Sequence, residues 1–186
     1  MALPIPHKLF TIDDYDRIID SGILKEDDRV ELLSGEIVEM APIGLRHAVC
    51  VARIEDLLHE QTRRRAIVWV QNPIWLPGDS VPQPDLALLK QRADFYLEHR
   101  PTPEDVLLLI EVADTSLFSD RIAKVPIYAQ AGINRLWLVN LVENVIEVYT
   151  DPVGSSYSSW EKLGPGSDIL LPLDPAVALP VVDILG

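Results

Sequence analysis

The feature that most constrains this chain is an apolar run with a glutamate inside it. Val106–Ile110 and Val112 are apolar at odd and even positions alike, so a strand here would be buried on both faces. Glu111 interrupts that run. Because a carboxylate buried without a partner is costly, Glu111 must lie at an exposed strand end, contact a cation or hold a proton. The fold must therefore cover a central strand on both faces and give Glu111 solvent, a cation or a bound proton.

Periodicity and turn residues predict the other elements. Runs of β-branched and aromatic residues predict strands, and apolar residues at helical spacing predict helices. In chain order, these are a helix from Thr11 to just before Gly22, a hairpin over 29–40 around Ser34-Gly35, a long helix over 45–64, strands over 66–76 and 84–89, the central strand, a helix over 119–131, and strands over 135–140 and 145–149. This order predicts an α/β (α+β) fold with a central mixed sheet flanked by helices.

The chain length and the positions of its prolines and glycines predict one domain over residues 1–186. A chain of 186 residues can bury a core without disulfides or a structural metal. We expect a C-terminal β extension, and the prolines and glycines of residues 165–186 predict a loose tail.

Charge and composition exclude several functional classes. The 16 Lys and Arg against 29 Asp and Glu give a net charge of −13, which disfavours broad nonspecific binding of nucleic acid. A local basic patch or a metal-bridged phosphate remains compatible with that charge.

Cys50 is the lone cysteine, so no internal disulfide forms. No stretch offers the ~18 apolar residues of a membrane span, and a soluble, cytoplasmic protein with no membrane partner is expected.

Two acids in apolar surroundings are candidate metal ligands. Asp85 follows Pro84 at the start of a short apolar run, and Glu111 lies near the end of the central strand. Mg²⁺ and Mn²⁺ prefer carboxylate, carbonyl and water oxygens, and one or two carboxylates leave positions open for water and a phosphate. Such an ion lowers the pKa of a bound water so that it can attack.

A cation is predicted near the same place. Asp120, Lys124 and Tyr128 are spaced four residues apart, so they share one face of a helix that begins shortly after Glu111. Lys124 can therefore point back to Glu111, hold an attacking water and stabilise developing negative charge. A purely structural Glu111–Lys124 salt bridge is the main alternative.

Together these residues resemble a known nuclease signature. Pro84-Asp85, Glu111-Val-Ala113 and Lys124 resemble the PD-(D/E)XK nuclease superfamily, with the lysine moved from position 113, here alanine, to the following helix. The wider pattern over residues 10–150 is similar to the Uma2 family. It comprises Glu31–Met40 with Pro42, Arg46-His47, Gln71–Ile74, Pro84-Asp85, Glu111–Ser116, Asp120–Lys124, Tyr128, Ala131-Gly132 and Trp137–Asn140.

The resemblance implies a restriction-endonuclease-like fold and a set of site residues. It implies a Mg²⁺- or Mn²⁺-dependent endonuclease that hydrolyses phosphodiester bonds, with DNA as the favoured substrate and a possible homodimer as the assembly. Asp85 and Glu111 would be metal ligands, Lys124 the catalytic cation and Glu31 a further catalytic acid. His47, Gln71 and Asp120 would line the substrate pocket. Two alternatives stay open: an inactive interaction module on the same fold, and a metal-dependent hydrolase of a small phosphorylated molecule.

Overall fold

The computed structural model describes residues 7–25, 27–173 and 175–186. Helix α1 (Ile12–Asp20) begins as its capping residues predict. The Asp14 N–H donates to Thr11 Oγ1 at 3.1 Å, and the Thr11 N–H donates to Asp14 Oδ2 at 3.2 Å. This reciprocal capping satisfies backbone donors that have no partner inside the helix.

A tight hairpin follows, as the sequence predicts. Strands β1 (Val30–Leu33) and β2 (Glu36–Glu39) pair antiparallel. Their turn residues Ser34 and Gly35 have φ values of 50° and 82°. Positive φ at both central positions suits the twist of a two-residue hairpin turn. The hairpin is a separate two-stranded sheet, so it can stand beside the main sheet and form a wall of a site.

The main sheet has six strands in the order β3-β4-β5-β6-β7-β8. Only β5 and β6 run parallel, and all the other neighbouring pairs are antiparallel. The sheet is therefore mixed, as predicted. Its strands are β3 (Ala66–Val70), β4 (Leu86–Lys90), β5 (Val106–Ala113), β6 (Arg135–Asn140), β7 (Val145–Val153) and β8 (Ser156–Leu163).

Strand β5 is buried on both faces, as its apolar pattern requires. Its even-numbered residues Leu108, Ile110 and Val112 pack in one core with α2 (Leu45–Thr62). Leu109 and Ala113 pack in a second core on the other face. Since side chains alternate along a strand, Glu111 points to this second face.

The second face is covered by one continuous helical segment. It consists of α3 (Leu117–Ser119), a π-helical turn (Asp120–Lys124) and α4 (Val125–Gln130). Pro126 has no N–H and its ring crowds the carbonyl of the preceding turn, which explains the wider turn before it. Helix α4 buries Tyr128 and Ala129 against the sheet. The predicted helix is thus present, with the π-helical turn at its centre.

Two predictions of the sequence analysis are corrected here. Strand β3 ends at Val70 rather than residue 76, because Gln71 has a φ of 49° and Pro73 cannot donate to a sheet. The segment 165–186 is not a loose tail. It forms β9 (Asp168–Leu171), β10 (Val177–Pro180) and α5 (Val181–Leu185), and their apolar residues Ile169, Leu171, Leu179, Val181, Ile184 and Leu185 are buried in the core that contains α2.

Within the described part of the chain, no helix combines the length and the apolar character that crossing a bilayer requires.

Candidate active site

The sheet register brings two acids together at one end of the central strand. Strand β4 pairs antiparallel with β5, so that Leu86 lies opposite Ile110. Continuing that register by one residue places Asp85 opposite Glu111. Opposed residues of an antiparallel pair share a face and lie roughly 5 Å apart. The proximity of the two acids is therefore built into the sheet.

Pro84, directly before Asp85, interrupts the backbone hydrogen bonding toward β5 at this point. The same register places Pro84 opposite Val112, and Pro84 has no N–H to donate to the Val112 carbonyl. The Val112 N–H donates to Asp85 Oδ2 at 2.8 Å. A proline at this position therefore removes one possible donor to the Val112 carbonyl.

A cavity of about 500 Å³ lies at this end of β5. Its walls come from the β1–β2 hairpin, residues 40–44, the start of α2 and the segment from Val112 to Lys124. Carboxylates predominate among its charged groups. The acids are Glu31, Glu39, Asp85, Glu111, Asp114 and Asp120, and the permanent cations are Arg29 and Lys124.

Lys124 occupies the space between two buried acids. Its Nζ lies 3.3 Å from Glu111 Oε1 and 3.1 Å from Glu31 Oε2. The Tyr128 hydroxyl also donates to Glu111 Oε1, at 2.6 Å. The prediction that Lys124 points back to Glu111 from the following helix agrees with this geometry, and Ala113 leaves room on the strand. The ion pair with Glu111 is present too, so this geometry is the one that both the structural and the catalytic interpretation of Lys124 require.

Glu31 faces inward rather than toward solvent. It is 4% exposed, and its Oε2 also accepts a hydrogen bond from the Gln83 N–H at 3.1 Å. Strand β1 therefore contributes an acid to the same cluster as Asp85, directly before β4, and Glu111 of β5. Sequence reasoning did not identify the Gln83 contact, because a backbone donor in a proline-rich loop leaves no pattern of side chains.

His47 contacts the same oxygen of Asp85 that the Val112 N–H binds. Its Nε2 lies 3.0 Å from Asp85 Oδ2, and the hydrogen bond raises the pKa of His47 although burial opposes the shift. Within the described chain, the buried His47 Nδ1 has no hydrogen-bond partner. His47 and Val112 together fix one oxygen of Asp85 and leave the other free.

Asp120 also reaches the cavity. Ser116 Oγ donates to Asp120 Oδ2 at 2.5 Å. Burial raises the pKa of Asp120, and this hydrogen bond opposes the shift. The serine was part of the Glu111–Ser116 motif, but its role was missed. Its spacing of four residues before a helical acid was the available signal.

Gln71 does not belong to the cluster. Its side chain is exposed and is absent from the cavity lining that the described residues form, while its N–H donates to the Asp85 carbonyl at 3.0 Å. The left-handed backbone at Gln71 ends β3 and turns the chain away. The prediction that Gln71 lines the pocket is therefore wrong, although its backbone supports the start of β4.

The acidic side chains of the cavity outnumber its positively charged side chains. Burial raises the pKa of Glu111 to about 8; Lys124 opposes the shift, and Asp85 and Asp120 add to it. Burial disfavours the ammonium of Lys124, but Glu111 and Glu31 outweigh burial and raise its pKa. The neighbouring carboxylates add to the effect of burial at Glu111 and oppose it at Lys124, so in both cases they favour added positive charge. A divalent cation would meet that need.

Two carboxylates have an oxygen suited to such an ion. Among the described residues, the hydrogen bonds of Asp85 use Oδ2 and those of Glu111 use Oε1, which leaves Asp85 Oδ1 and Glu111 Oε2 free. With the Val112 carbonyl, these are the oxygen ligands that Mg²⁺ and Mn²⁺ prefer. The donor set therefore fits a divalent metal.

A different group has the tightest cluster of potential ligands. In the described chain, the one set of three acidic or histidine ligand atoms within 4.8 Å of one another belongs to Asp94, Glu98 and His99. Arg92 already donates to Asp94 and lies 2.9 Å from His99 Nδ1. Its guanidinium supplies the positive charge, so this surface group does not call for a metal.

Comparison with known proteins decides the family. Residues 12–181 match the Uma2 family, which is described as "Putative restriction endonuclease". The chain belongs to the Uma2 family. A protein from Anabaena variabilis, described in its crystal structure as a "putative nuclease belonging to DUF820", is similar in fold, with a TM-score of 0.69 and 14% identity over 95% of this chain and 97% of that one. No curated protein matches the chain.

Uma2 membership confirms the resemblance found in the sequence. The structural likeness confirms the restriction-endonuclease-like fold, with its central mixed sheet between helices. The match extends to residue 181, well beyond the 10–150 range over which the motifs were recognised. The C-terminal hairpin of the Uma2 chain is therefore part of the family pattern.

A buried acid behind the site anchors the π-helical turn of the Uma2 chain. Glu147 on β7 is 1% exposed and accepts hydrogen bonds from Arg121, Asn140 and Tyr149. Burial disfavours its charge, but these hydrogen bonds outweigh burial and lower its pKa. Arg121 lies in the same turn as Lys124, so Glu147 ties the π-helical turn to the sheet. Sequence reasoning missed this contact, which joins residues 26 positions apart.

Replacing Glu147 with glutamine is expected to destabilise the fold by about 1–3 kcal/mol at neutral pH. A group whose pKa is lowered on folding contributes stability that is present above its unfolded pKa and is lost as pH falls through the folded value. The difference between wild type and Glu147→Gln should therefore shrink below about pH 4.5. Urea unfolding from pH 7 to pH 3 measures it, and a constant difference would contradict this account.

Proposed function

We propose that this Uma2 protein is a divalent-metal-dependent nuclease that hydrolyses phosphodiester bonds, with DNA as its substrate and Mg²⁺ or Mn²⁺ as its cofactor. One observation carries the proposal. The Val112 N–H holds Asp85 beside the end of β5 that carries Glu111, and Lys124 reaches Glu111 from the next helix inside an acid-rich cavity.

The metal would be held by Asp85, Glu111 and the Val112 carbonyl. A bound divalent ion lowers the pKa of a coordinated water and offsets the charge of the phosphate. His47 and the Val112 N–H keep Asp85 in a single orientation through Oδ2. The Tyr128 hydroxyl does the same for Glu111 through Oε1. Both acids are therefore pre-oriented before any ligand arrives, which lowers the cost of binding.

Lys124 would serve the reaction as a fixed cation. Its raised pKa keeps the ammonium protonated, and Glu31 and Glu111 hold it at the floor of the cavity. An ammonium fixed in a dry site stabilises negative charge that develops on the phosphate more strongly than one in water. Glu31 acts through Lys124, so we assign it a positioning role.

The charge balance explains why the metal would be necessary for a nucleic-acid substrate. The carboxylates of the cavity repel a phosphate, and Arg29 and Lys124 are its permanent cations. Arg29 also donates to the Ala41 carbonyl at 3.0 Å, so part of its hydrogen-bonding capacity is used. A divalent ion held here would offset part of this negative charge and make the approach of a phosphodiester more favourable.

Plasmid cleavage tests the proposal. Wild type with Mg²⁺ or Mn²⁺ is expected to nick supercoiled DNA, and Glu111→Gln should lower the rate by at least about 100-fold. Glu55→Gln, on α2 and outside the cavity lining that the described residues form, is the matched control and should leave the rate unchanged. Chelation of the metal should abolish cleavage. Equal rates for wild type and Glu111→Gln would contradict the proposal and favour the interaction-module alternative.

The cavity size favours a second candidate, a hydrolase of a small phosphorylated molecule. Small-molecule sites have volumes of roughly 300–1,000 Å³, and this cavity has about 500 Å³. The same residues would perform the same chemistry on either substrate. Metal-dependent turnover of a small phosphodiester without plasmid nicking would select the second candidate.

A further inference from the structure

A second pocket adjoins the proposed active site. It has a volume of about 350 Å³ and lies between the β1–β2 hairpin and helix α4. Leu33, Val38 and Ala123 line both this pocket and the main cavity. These three residues border both spaces, so a ligand at the acidic centre lies next to the second pocket.

The hairpin wall of this pocket is fixed from behind. The Ser34 N–H donates to Ser80 Oγ and the Gly35 N–H to the Asp79 carbonyl, both at 2.8 Å. The Phe10 N–H donates to the Gly35 carbonyl, also at 2.8 Å. A Cβ at Gly35 would come within 2.9 Å of Leu9 Cβ, so the turn is packed closely against the N-terminal segment. The hairpin cannot tilt inward without breaking these contacts.

The opposite wall is fixed as well. Pro126 and Ile127 form it, and the next two residues, Tyr128 and Ala129, are buried in the core. Two anchored walls keep an apolar gap open to water, where burial of an apolar group would be favourable. The second pocket is thus formed in advance of any ligand.

Its lining selects the chemistry of the occupant. Leu33, Val38, Pro126 and Ile127 are apolar, whereas Ser34, Glu36 and Gln130 provide polar groups. No lysine or arginine lines it within the described chain, and Glu36 would repel a phosphate. A neutral, flat group with apolar faces and N–H groups at its edge fits both features. Nucleobases have that chemistry.

We propose that the second pocket receives the base of a nucleotide next to the scissile phosphate. This inference rests on the nuclease function proposed above and names its substrate class. A base can enter a pocket beside the backbone only after it leaves the stack, and the cost is smallest in single strands. The substrate is therefore single-stranded or locally unstacked nucleic acid.

Glu36 gives the pocket a preference among bases. A carboxylate accepts hydrogen bonds, and the cytosine amino group is a donor that pairs well with Glu, whereas thymine has a carbonyl at that position. Cytosine is therefore preferred to thymine. The preference should depend on Glu36, which lines the second pocket and lies outside the main cavity lining.

Binding of labelled dodecanucleotides by fluorescence anisotropy tests the inference. Ca²⁺ replaces the catalytic metal, so that strands can bind without being cut. The probes are oligo-dC, oligo-dT and an abasic strand of the same length that keeps every phosphate. Wild type should bind oligo-dC at least about tenfold more tightly than the abasic strand, because the base adds buried apolar area. Glu36→Gln should remove the preference for oligo-dC over oligo-dT, and Glu60→Gln, near the far end of α2, should retain it.

The outcomes separate this inference from the proposed function. Equal binding of oligo-dC and the abasic strand would overturn the base pocket and leave binding of the phosphate backbone intact. Failure of all three strands to bind, with Glu60→Gln behaving like wild type, would overturn the nucleic-acid function and this inference with it. A dC preference that survives in Glu36→Gln would overturn the role of Glu36.

Discussion

Replacing Lys124 with methionine is expected to lower phosphodiester cleavage by at least about 100-fold while the chain stays folded. The ammonium lies 3.1 Å from Glu31 and 3.3 Å from Glu111, and methionine keeps an unbranched side chain, one atom shorter, without the charge. Lys124 holds the pKa of Glu111 down, so its loss raises that pKa further and lets Glu111 take up a proton instead of remaining as an unpaired buried charge. Loss of a buried ion-pair partner costs about 3–5 kcal/mol, within the stability of a typical domain.

A conservative variant separates catalysis from folding at this position. Lys124→Arg keeps a positive charge between Glu31 and Glu111, so its thermal unfolding should remain close to that of wild type. Its larger guanidinium displaces the cationic centre, and cleavage should still fall. Wild-type cleavage in a folded Lys124→Met protein would show that the ion pair serves the fold alone. Full activity of both variants would remove Lys124 from the reaction.

Ending the chain at Gly164 is expected to prevent folding. The removed segment contributes Ile169, Leu171, Leu179, Val181, Ile184 and Leu185 to the core that contains α2. Each large buried side chain contributes about 1.5–3 kcal/mol, and the total reaches the 5–15 kcal/mol that holds a typical domain together. Arg53 also loses its contact with the Leu185 carbonyl, at 3.0 Å. Circular dichroism and thermal unfolding of the shortened chain measure the effect.

Two point variants test the same contribution to stability without removing the segment. Ile184 is 1% exposed and Val182, on the same helix, is 45% exposed. Ile184→Ala should cost about 2–5 kcal/mol, whereas Val182→Ala should change stability by no more than about 0.5 kcal/mol. A shortened chain that unfolds cooperatively at the wild-type temperature would show that the C-terminal hairpin and helix do not contribute to the stability of the fold.

The C-terminal segment shows where sequence reasoning was wrong. Pro165, Pro172, Pro175 and Pro180 suggested a loose tail, because proline cannot donate to a sheet. The structure places Pro180 at the end of β10 and Pro172 just after β9, where the missing N–H costs little. The alternation of apolar residues between these prolines was the better signal. A short strand is fixed mainly by what it packs against, and local sequence does not show that partner.

The central part of the site was predictable because it depends on short-range geometry. Lys124 and Tyr128 are four residues apart on one helical segment, and Glu111 is the one acid in an apolar strand. The sheet register that places Asp85 opposite Glu111 depends on pairing between distant strands, so residue patterns alone could only suggest it. Gln71 was misplaced because one left-handed residue turned its side chain away.

Residues outside the signature were less accessible to prediction. The Arg121–Glu147 contact and the second pocket both arise where the helical segment meets other elements, and neither leaves a periodic pattern. Glu147 appeared as one acid in a β-prone run, which is common on exposed strands. Its burial depends on the neighbouring β6 and on the helix above it, and those positions follow only from the assembled fold.

Calorimetric titration of Mn²⁺ into the metal-free protein tests the central claim, that Asp85 and Glu111 meet to hold a divalent ion beside Lys124. Wild type should bind one ion at this centre, and Asp85→Asn should bind it at least about 100-fold more weakly, since a direct ligand matters at least as much as its supporting contacts. Asp94→Asn alters the surface group of Asp94, Glu98 and His99 and should leave this binding unchanged. Equal Mn²⁺ affinity for wild type and Asp85→Asn would contradict the account.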